Sequence, residues 1–410
     1  MKYILKFSLL FSAVFLLSCQ VNDKNNTELK EMSPPVSDGS MQPYLFASGS
    51  ELLMSWTEKE NDSVFGLYFS KYNNGIWSEK SAIKKGKNWF VNWADFPAIS
   101  GENDNLITYY LKKSDAETYA YDIFLKQSND AGKNWNIENK LHSDTTKSEH
   151  GFVSMAPSKN NSFFISWLDG RNTKGMDHGH EHGQGEGAMQ IRVAEVKSDG
   201  EIQHEYKLDS RTCDCCNTST ALTEDGPIVV WRDRSDEEIR DIYYSKFKDG
   251  NWSKSKPVFQ DNWNINGCPV NGPKVAVQKN SIAVAWFTAA DNDPKVNLSF
   301  SKDMGDNFMA PIQINEGKAI GRVDLLMLDK ETALISWMES SENLALMRIA
   351  KVGIAGKIEK IITVGEISGS RSTGFPQMEL VDGHVFMAWN DLQNDKSRVK
   401  VFSLSLEALN

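Results

Sequence analysis

The chain of 410 residues carries 45 Lys and Arg against 55 Asp and Glu, a net charge of -10 with no basic stretch, which excludes a protein that tracks nucleic-acid phosphates. With 40% hydrophobic and 24% charged residues, and with 12 Trp, 20 Phe and 11 Tyr, it is too apolar for a disordered chain and can bury a large core. Length alone allows two or three domains or one large β architecture.

From the N-terminus, an apolar run behind Lys2 and Lys6 reaches Leu17 and reads as a signal peptide. It ends in Leu16-Leu17-Ser18-Cys19, which resembles the bacterial lipobox. That resemblance implies that residues 1–19 are the lipoprotein signal and that Cys19 is lipidated as the new N-terminus; the alternative is an ordinary secretory signal ending in a Cys. Residues 20–36 are polar and close on Ser33-Pro34-Pro35, the composition of a flexible tether. The folded body is then expected over residues 37–410, outside the cytoplasm.

An apolar strand ending in Trp or Tyr recurs seven times, closing on Trp56, Tyr110, Trp167, Trp231, Trp286, Trp337 and Trp389 at steps of 51 to 64 residues. Such a period suits about four strands per unit. A first strand precedes each, at residues 42–46, 95–99, 152–155, 218–221, 274–277, 323–326 and 375–378, and a third strand with period-2 character follows, as in Gly66-Leu67-Tyr68-Phe69-Ser70. The reading is an all-β propeller of four-stranded antiparallel blades, seven favoured and six the alternative, closed by an outer strand from the N-terminal segment.

Two turns after third strands are complete motifs: Ser128, Asp130, Gly132 and Trp135, then Ser301, Asp303, Gly305 and Phe308. They resemble the Asp box, or BNR repeat, of the sialidase-type β-propellers, with Phe308 in place of the final Trp. Worn copies stand at residues 73–77 and 248–252. The box is a local folding device: the acid caps turn amides, glycine supplies positive φ, and the aromatic packs between sheets.

Alternating strand direction puts the loops before first strands and between second and third strands on one face, and the Asp boxes on the other. The pocket face collects the unusual residues. Blade 3 brings Glu149-His150 and a long loop with His178, His180 and His182; blade 4 brings Arg211, Cys213, Cys215, Cys216 and Asp233; blade 5 brings Cys268. With Cys19 reserved for lipid, four thiols remain. Adjacent Cys215 and Cys216 cannot bridge to each other without strain, so a soft-metal cage of copper or zinc stands beside the disulfide reading. The candidate ligands are Cys213, Cys215, Cys216 and Cys268 with His150, His178, His180 and His182.

The sialidase resemblance implies three arginines holding a substrate carboxylate, a Tyr nucleophile activated by Glu, and an Asp acid or base. The chain lacks an early Arg-Ile-Pro and has Gln42-Pro43-Tyr44 there. Arg211, Arg322 and Arg371 are the clamp candidates and Asp233 the acid candidate, against a reading in which most pocket-face arginines, including Arg171, Arg232 and Arg234, simply bridge nearby acids. Asp169, Asp233 and Asp391, two residues after a Trp, read as loop-amide caps, with a carboxylate ring as the alternative. Trp89, Trp93 and Trp263 offer a stacking wall.

These readings combine into a monomeric envelope lipoprotein, anchored to the membrane through Cys19, whose pocket face carries a copper or zinc centre or a redox centre. The alternatives are a sialidase-type glycoside hydrolase, and a scaffold with structural disulfides that binds a glycan or protein. No nucleic-acid partner is expected.

Overall fold

The computed structural model describes residues 29–158, 160–173, 187–393 and 396–410. Over these the chain folds into seven antiparallel sheets, the blades of a seven-bladed β-propeller. The innermost strands, from blade 1 to blade 7, are Ser40–Ser48, Ile99–Glu102, His150–Ser158, Ser219–Leu222, Lys274–Gln278, Ala319–Met327 and Gly374–Val381. Six of them, with Phe96 and Ala98 just before the blade 2 strand, line an axial cavity of about 360 Å³. Blade 7 takes its outermost strand from the other end of the chain: Lys30–Met32 pairs antiparallel with Lys396–Ser405, setting Glu31 opposite Phe402. This hydrogen-bonded closure covers what would otherwise be an open sheet edge. It also carries the propeller back to residue 30, inside the stretch read as tether.

The second strand of each blade is sandwiched between neighbouring sheets, which is why it reads as an unbroken apolar run ending in an aromatic. All six of its Trp side chains are at most 1% exposed, and Tyr110 is 3% exposed. A buried indole still needs an acceptor for its N–H. Side chains two apart in a strand share a face, and Trp56, Trp167 and Trp337 donate to Glu58 Oε1, Asp169 Oδ2 and Glu339 Oε1 at 2.8, 3.0 and 2.7 Å. Trp286 has Thr288 at that position and donates instead to Asp261, from the loop between the last strand of blade 4 and the innermost strand of blade 5, at 2.6 Å. Glu58, Asp169 and Glu339 thus satisfy indoles, and the capping reading also holds where Asp169 accepts from Arg171 N at 3.1 Å and Asp391 from Leu392 N at 2.8 Å.

Both Asp boxes have one geometry. Ser128 Oγ bonds Asp130 and accepts from Gly132 N, Asp130 accepts from Asn134 N and Nδ2, and residues 301–307 repeat every contact to within 0.2 Å. Gly132 and Gly305 sit at φ +86° and +80°. Trp135 packs edge-on against Phe69 of blade 1, and Phe308 against Tyr244 of blade 4, locking neighbouring blades. The worn copies are plain two-residue hairpin turns, Asn74-Gly75 and Asp249-Gly250, all four residues at positive φ.

Candidate metal centre on the pocket face

The pocket face is shaped by repeated backbone strain. Where five innermost strands begin, a residue other than glycine is held at positive φ: Gln42, Phe152, Val270, Arg322 and Phe375, between +50° and +59°. In blades 1, 3, 6 and 7 these residues fall where the strand pairing slips, a β-bulge at the rim of the cavity. In three of them a glycine stands just before: a Cβ on Gly151 would meet Asp95 at 1.8 Å, on Gly321 Asn271 at 2.4 Å, and on Gly374 Met338 at 2.4 Å. The recurring Gly-Phe, Gly-Arg and Gly-Phe pairs were a legible but unused sequence signal for this feature.

Three of the four cysteines, Cys213, Cys215 and Cys216, cluster within 4.8 Å of one another. Cys213 to Cys216 lie between the outermost strand of blade 3, Ile202–Thr212, and the innermost strand of blade 4. Cys213 Sγ is 3.4 Å from Cys216 Sγ and 3.9 Å from Cys215 Sγ, and Cys268, from the loop leading into blade 5, reaches Cys215 by a side-chain contact. All four are free thiols in the structure. Cys213 and Cys216 are buried, and Cys268 is exposed. Arg240, fully buried, donates from Nη1 to Cys213 Sγ at 3.3 Å and from Nη2 to Glu238 at 2.7 Å. Asn271 N donates to Cys216 Sγ at 3.4 Å. Burial works against a thiolate at Cys213, yet the Cys215 and Cys216 thiols and the charges of Arg240 and Arg232 hold its pKa well below the ordinary value. Donation from Cys215 lowers Cys268 likewise.

These spacings fit a soft metal. A tetrahedral zinc with Zn–S bonds of ~2.3 Å keeps its sulfurs ~3.8 Å apart, and 3.4 and 3.9 Å bracket that value. Such a group would be held by Cys213, Cys215, Cys216 and Cys268.

The predicted His partners do not join them. His150 turns to Asp122, Asp144 and Asp169 in the groove between blades 2 and 3, and its predecessor Glu149 is the residue that faces the cysteine side. Burial, reinforced by Asp95, Asp214 and Cys268, raises the Glu149 carboxyl well above its usual range. His178, His180 and His182 lie outside the described residues. So do the signal segment and Cys19.

The arginine candidates separate. Arg211 belongs to the long outermost strand of blade 3 rather than to a loop, and it pairs with Asp236 at 3.4 Å and Glu238 at 4.0 Å, so it is no part of an axial clamp. Arg171 pairs with Asp169 and Glu205 and Arg234 with Glu238 and Asp214, so the bridging reading holds for these two, whereas Arg232 spends its guanidinium on the carbonyls of Asn271, Arg240 and Phe287. Asp233 is half-buried beside Trp231 and pushed up to about 7 by desolvation and by Asp209. It bridges to Thr212 and faces no axial group.

Arg322 and Arg371 remain. Both stand over the Trp93 ring, at 5.5 and 5.6 Å, and Arg322 also covers Phe375 at 4.4 Å. Arg322 donates to the carbonyls of Arg371 and Thr373, and burial followed by Arg371 lowers it to about 10. Of the three loop tryptophans, Trp93 lines a pocket of about 290 Å³ with Gln42, Phe96, Phe375 and Asn390. Trp89 stacks on Tyr110 and Trp263 lies under Arg232, both buried. Asn271 links the two regions: its amide serves Cys216 while its Oδ1 accepts from Arg322 N at 2.6 Å.

Among solved structures the chain is similar to the polysaccharide lyase Uly1, with a TM-score of 0.52 and 10% identity over 89% of this chain and 90% of that one. It is similar also to the phage phi92 endosialidase, with a TM-score of 0.51 and 8% identity over 92% and 69%. No protein-family model and no curated protein matches the sequence. At such identities the likeness concerns the fold: this is a β-propeller of the kind built by sialidases and polysaccharide lyases.

Proposed function

We propose that the chain is a lipid-anchored envelope propeller that holds a Cu(I) or Zn(II) ion, or cycles thiols, in the cage of Cys213, Cys215, Cys216 and Cys268. The observation that carries this is the sulfur spacing of 3.4 and 3.9 Å within the loop of Cys213, Cys215 and Cys216, beside a buried guanidinium, with Cys268 of the next loop in contact with Cys215. Imidazole and thiolate donors suit these metals, and the positive Arg240 offsets the charge that several thiolates bring. Metal analysis of protein purified without a His tag tests the reading. About one equivalent of copper or zinc, released as pH falls and the sulfurs protonate, is the expected result. Four cysteines in disulfides, with no metal at any stage, would overturn it. Cys19→Ala tests the anchor: it should stop lipidation and release the protein from membranes or leave it unprocessed.

A second reading, a sialidase-type glycoside hydrolase, is favoured by Arg322 and Arg371, which among the described residues face no carboxylate and flank an aromatic pocket. It lacks a reachable nucleophile in Tyr121, whose hydroxyl is shared by Asp95 and Glu149 at 2.8 and 2.9 Å beneath Phe90. Release of sialic acid from fluorogenic substrates is therefore expected to be weak or nil. Robust turnover abolished by Arg371→Ala would reverse the ranking.

A further inference from the structure

A second constellation, free of cysteine, fills the groove between blades 2 and 3. Asp122 is the second residue of the strand Tyr121–Ser128, His142 follows that blade's outermost strand Ile137–Lys140, and His150 opens the innermost strand of blade 3. The two imidazoles are stacked with centroids 3.8 Å apart and planes 6° from parallel, and both side chains have no exposure. Asp122 Oδ1 stands 3.4 Å from His142 Nε2 and 3.8 Å from His150 Nδ1. One donor atom from each of the three residues lies within 4.8 Å of the others.

Proton accounting shows what this arrangement lacks. A neutral imidazole has one N–H and one lone pair. His150 meets only oxygen acceptors on both sides: Asp144 Oδ2 at 3.1 Å and Asp169 Oδ1 at 3.8 Å face Nε2, while the carbonyls of Tyr121 and Ser148, each at 3.2 Å, and Asp122 face Nδ1. His142 has the opposite defect: Nδ1 has no partner, and Nε2 has only the 3.4 Å contact to Asp122, outside good hydrogen-bond geometry. Leaving such a group unsatisfied costs about 1–3 kcal/mol. A cation among the donors removes the first defect and half of the second, leaving only His142 Nδ1–H without a partner. It takes the lone pairs of His142 Nε2 and His150 Nδ1 and the charge of Asp122, and His150 Nε2–H then donates to Asp144, the carboxylate–histidine pairing that orients metal-bound imidazoles.

We propose that Asp122, His142 and His150 form a divalent-metal site of zinc type that staples blade 2 to blade 3. Zinc bonds of ~2.0–2.2 Å to nitrogen and oxygen in tetrahedral geometry separate donors by ~3.3–3.6 Å. The observed 3.4 and 3.8 Å need a closure of a few tenths, and one imidazole must swing out of the parallel stack so that both in-plane lone pairs meet at the ion. The carbonyl of Tyr121 or Ser148, or a water, completes the set. This site stands independently of the thiolate cage.

The test starts from the mature chain with Cys213, Cys215, Cys216 and Cys268 changed to Ser and His178, His180 and His182 to Ala, so that other candidate donors are removed. Titrated with Zn(II), it should bind one equivalent and gain thermal stability. Co(II) in its place should give a visible spectrum without thiolate charge-transfer bands. His142→Gln and Asp122→Asn should each weaken binding at least tenfold while circular dichroism of the metal-free protein stays unchanged. Where the multiple variant does not fold, the same two substitutions in the wild-type background should lower total bound zinc by one equivalent. Binding that is nil in the folded background, or unchanged in His142→Gln, would overturn the site and leave a His150 imidazolium neutralised by Asp144 and Asp169.

Discussion

On the far face of the propeller Asp303 accepts from the amide of Asn307, four residues on, whereas on the pocket face Cys216 accepts from the amide of Asn271, 55 residues away. The same contrast runs through both faces. Asp-box turns satisfy their polar groups within a few residues, and glycine takes the highest positive φ there, with Ala131 and Met304 beside it. The pocket face places Arg322, Phe375 and the β-branched Val270 at positive φ, conformations that such side chains hold only when the surroundings enforce them. Local clasps build the scaffold. Long-range contacts and strained backbone build the site.

The sharpest way to break this contrast is to remove sulfur from the pocket face. Cys215→Ser with Cys216→Ser should abolish nearly all thiolate-bound metal and leave the circular dichroism of the propeller intact, because the blades are held by their own ladders and tryptophans. If the double variant unfolds instead, the centre is part of the scaffold and the division between faces fails. A smaller effect is expected from Arg240→Met, which removes the guanidinium beside Cys213 without touching a ligand. By analogy with other outer-shell partners, metal affinity should drop roughly 10–100-fold in competition with a chelator.

Next in size is a pH effect at the axis, where Tyr44, Lys274, Asp324 and Glu379 meet, with Lys274 Nζ 3.3 Å from Asp324 Oδ1. Burial, then repulsion from Asp324, pushes the Glu379 carboxyl from 4.5 up to about 8. The folded state therefore keeps this proton to higher pH than the unfolded chain does, so stability from this group is full below pH 4.5 and falls as pH rises towards 8. Glu379→Gln should raise thermal stability at pH 8 by about 2 kcal/mol, well under the ~1.4 kcal/mol per unit ceiling because solvent still reaches the group, and change little at pH 4. A variant less stable than wild type at pH 8 would show that the carboxylate is ionised and paired with Lys274.

The smallest effect belongs to the far face. Asp303→Ala should lower the melting temperature by a few degrees and leave metal content untouched, since the clasp it removes is exposed and local. Its carboxyl, held down to about 2 by Asn307 and Ser301 against the opposing effect of burial, contributes stability above pH 3.8 that fades as pH falls towards 2. Loss of metal on this substitution would mean that the faces are coupled.

Much of this was legible in the chain. The spacing of Trp56 through Trp389 counts the blades because each second strand is buried on both sides and so must repeat the same apolar run. The placing of Cys213, Cys215, Cys216 and Cys268 on one face followed from strand alternation, which assigns loops to faces without coordinates. Arg211 was misread because Ile202–Thr212 runs eleven residues, twice the mean strand, and absorbs what looked like a loop. His142 carries no motif, and nothing near it in sequence indicates that it stacks on His150.

What the sequence by itself determined is the periodic part: strands, Asp-box turns and blade number, each set by contacts within a few tens of residues and by burial that every repeat must satisfy. Tertiary structure alone decided which acids hold indoles, which arginines stand over Trp93, and that His150 joins His142 and Asp122 instead of the thiols. Those choices depend on ångström-scale distances between side chains from different blades. They are fixed by how the closed ring brings rims together, a quantity no local pattern encodes.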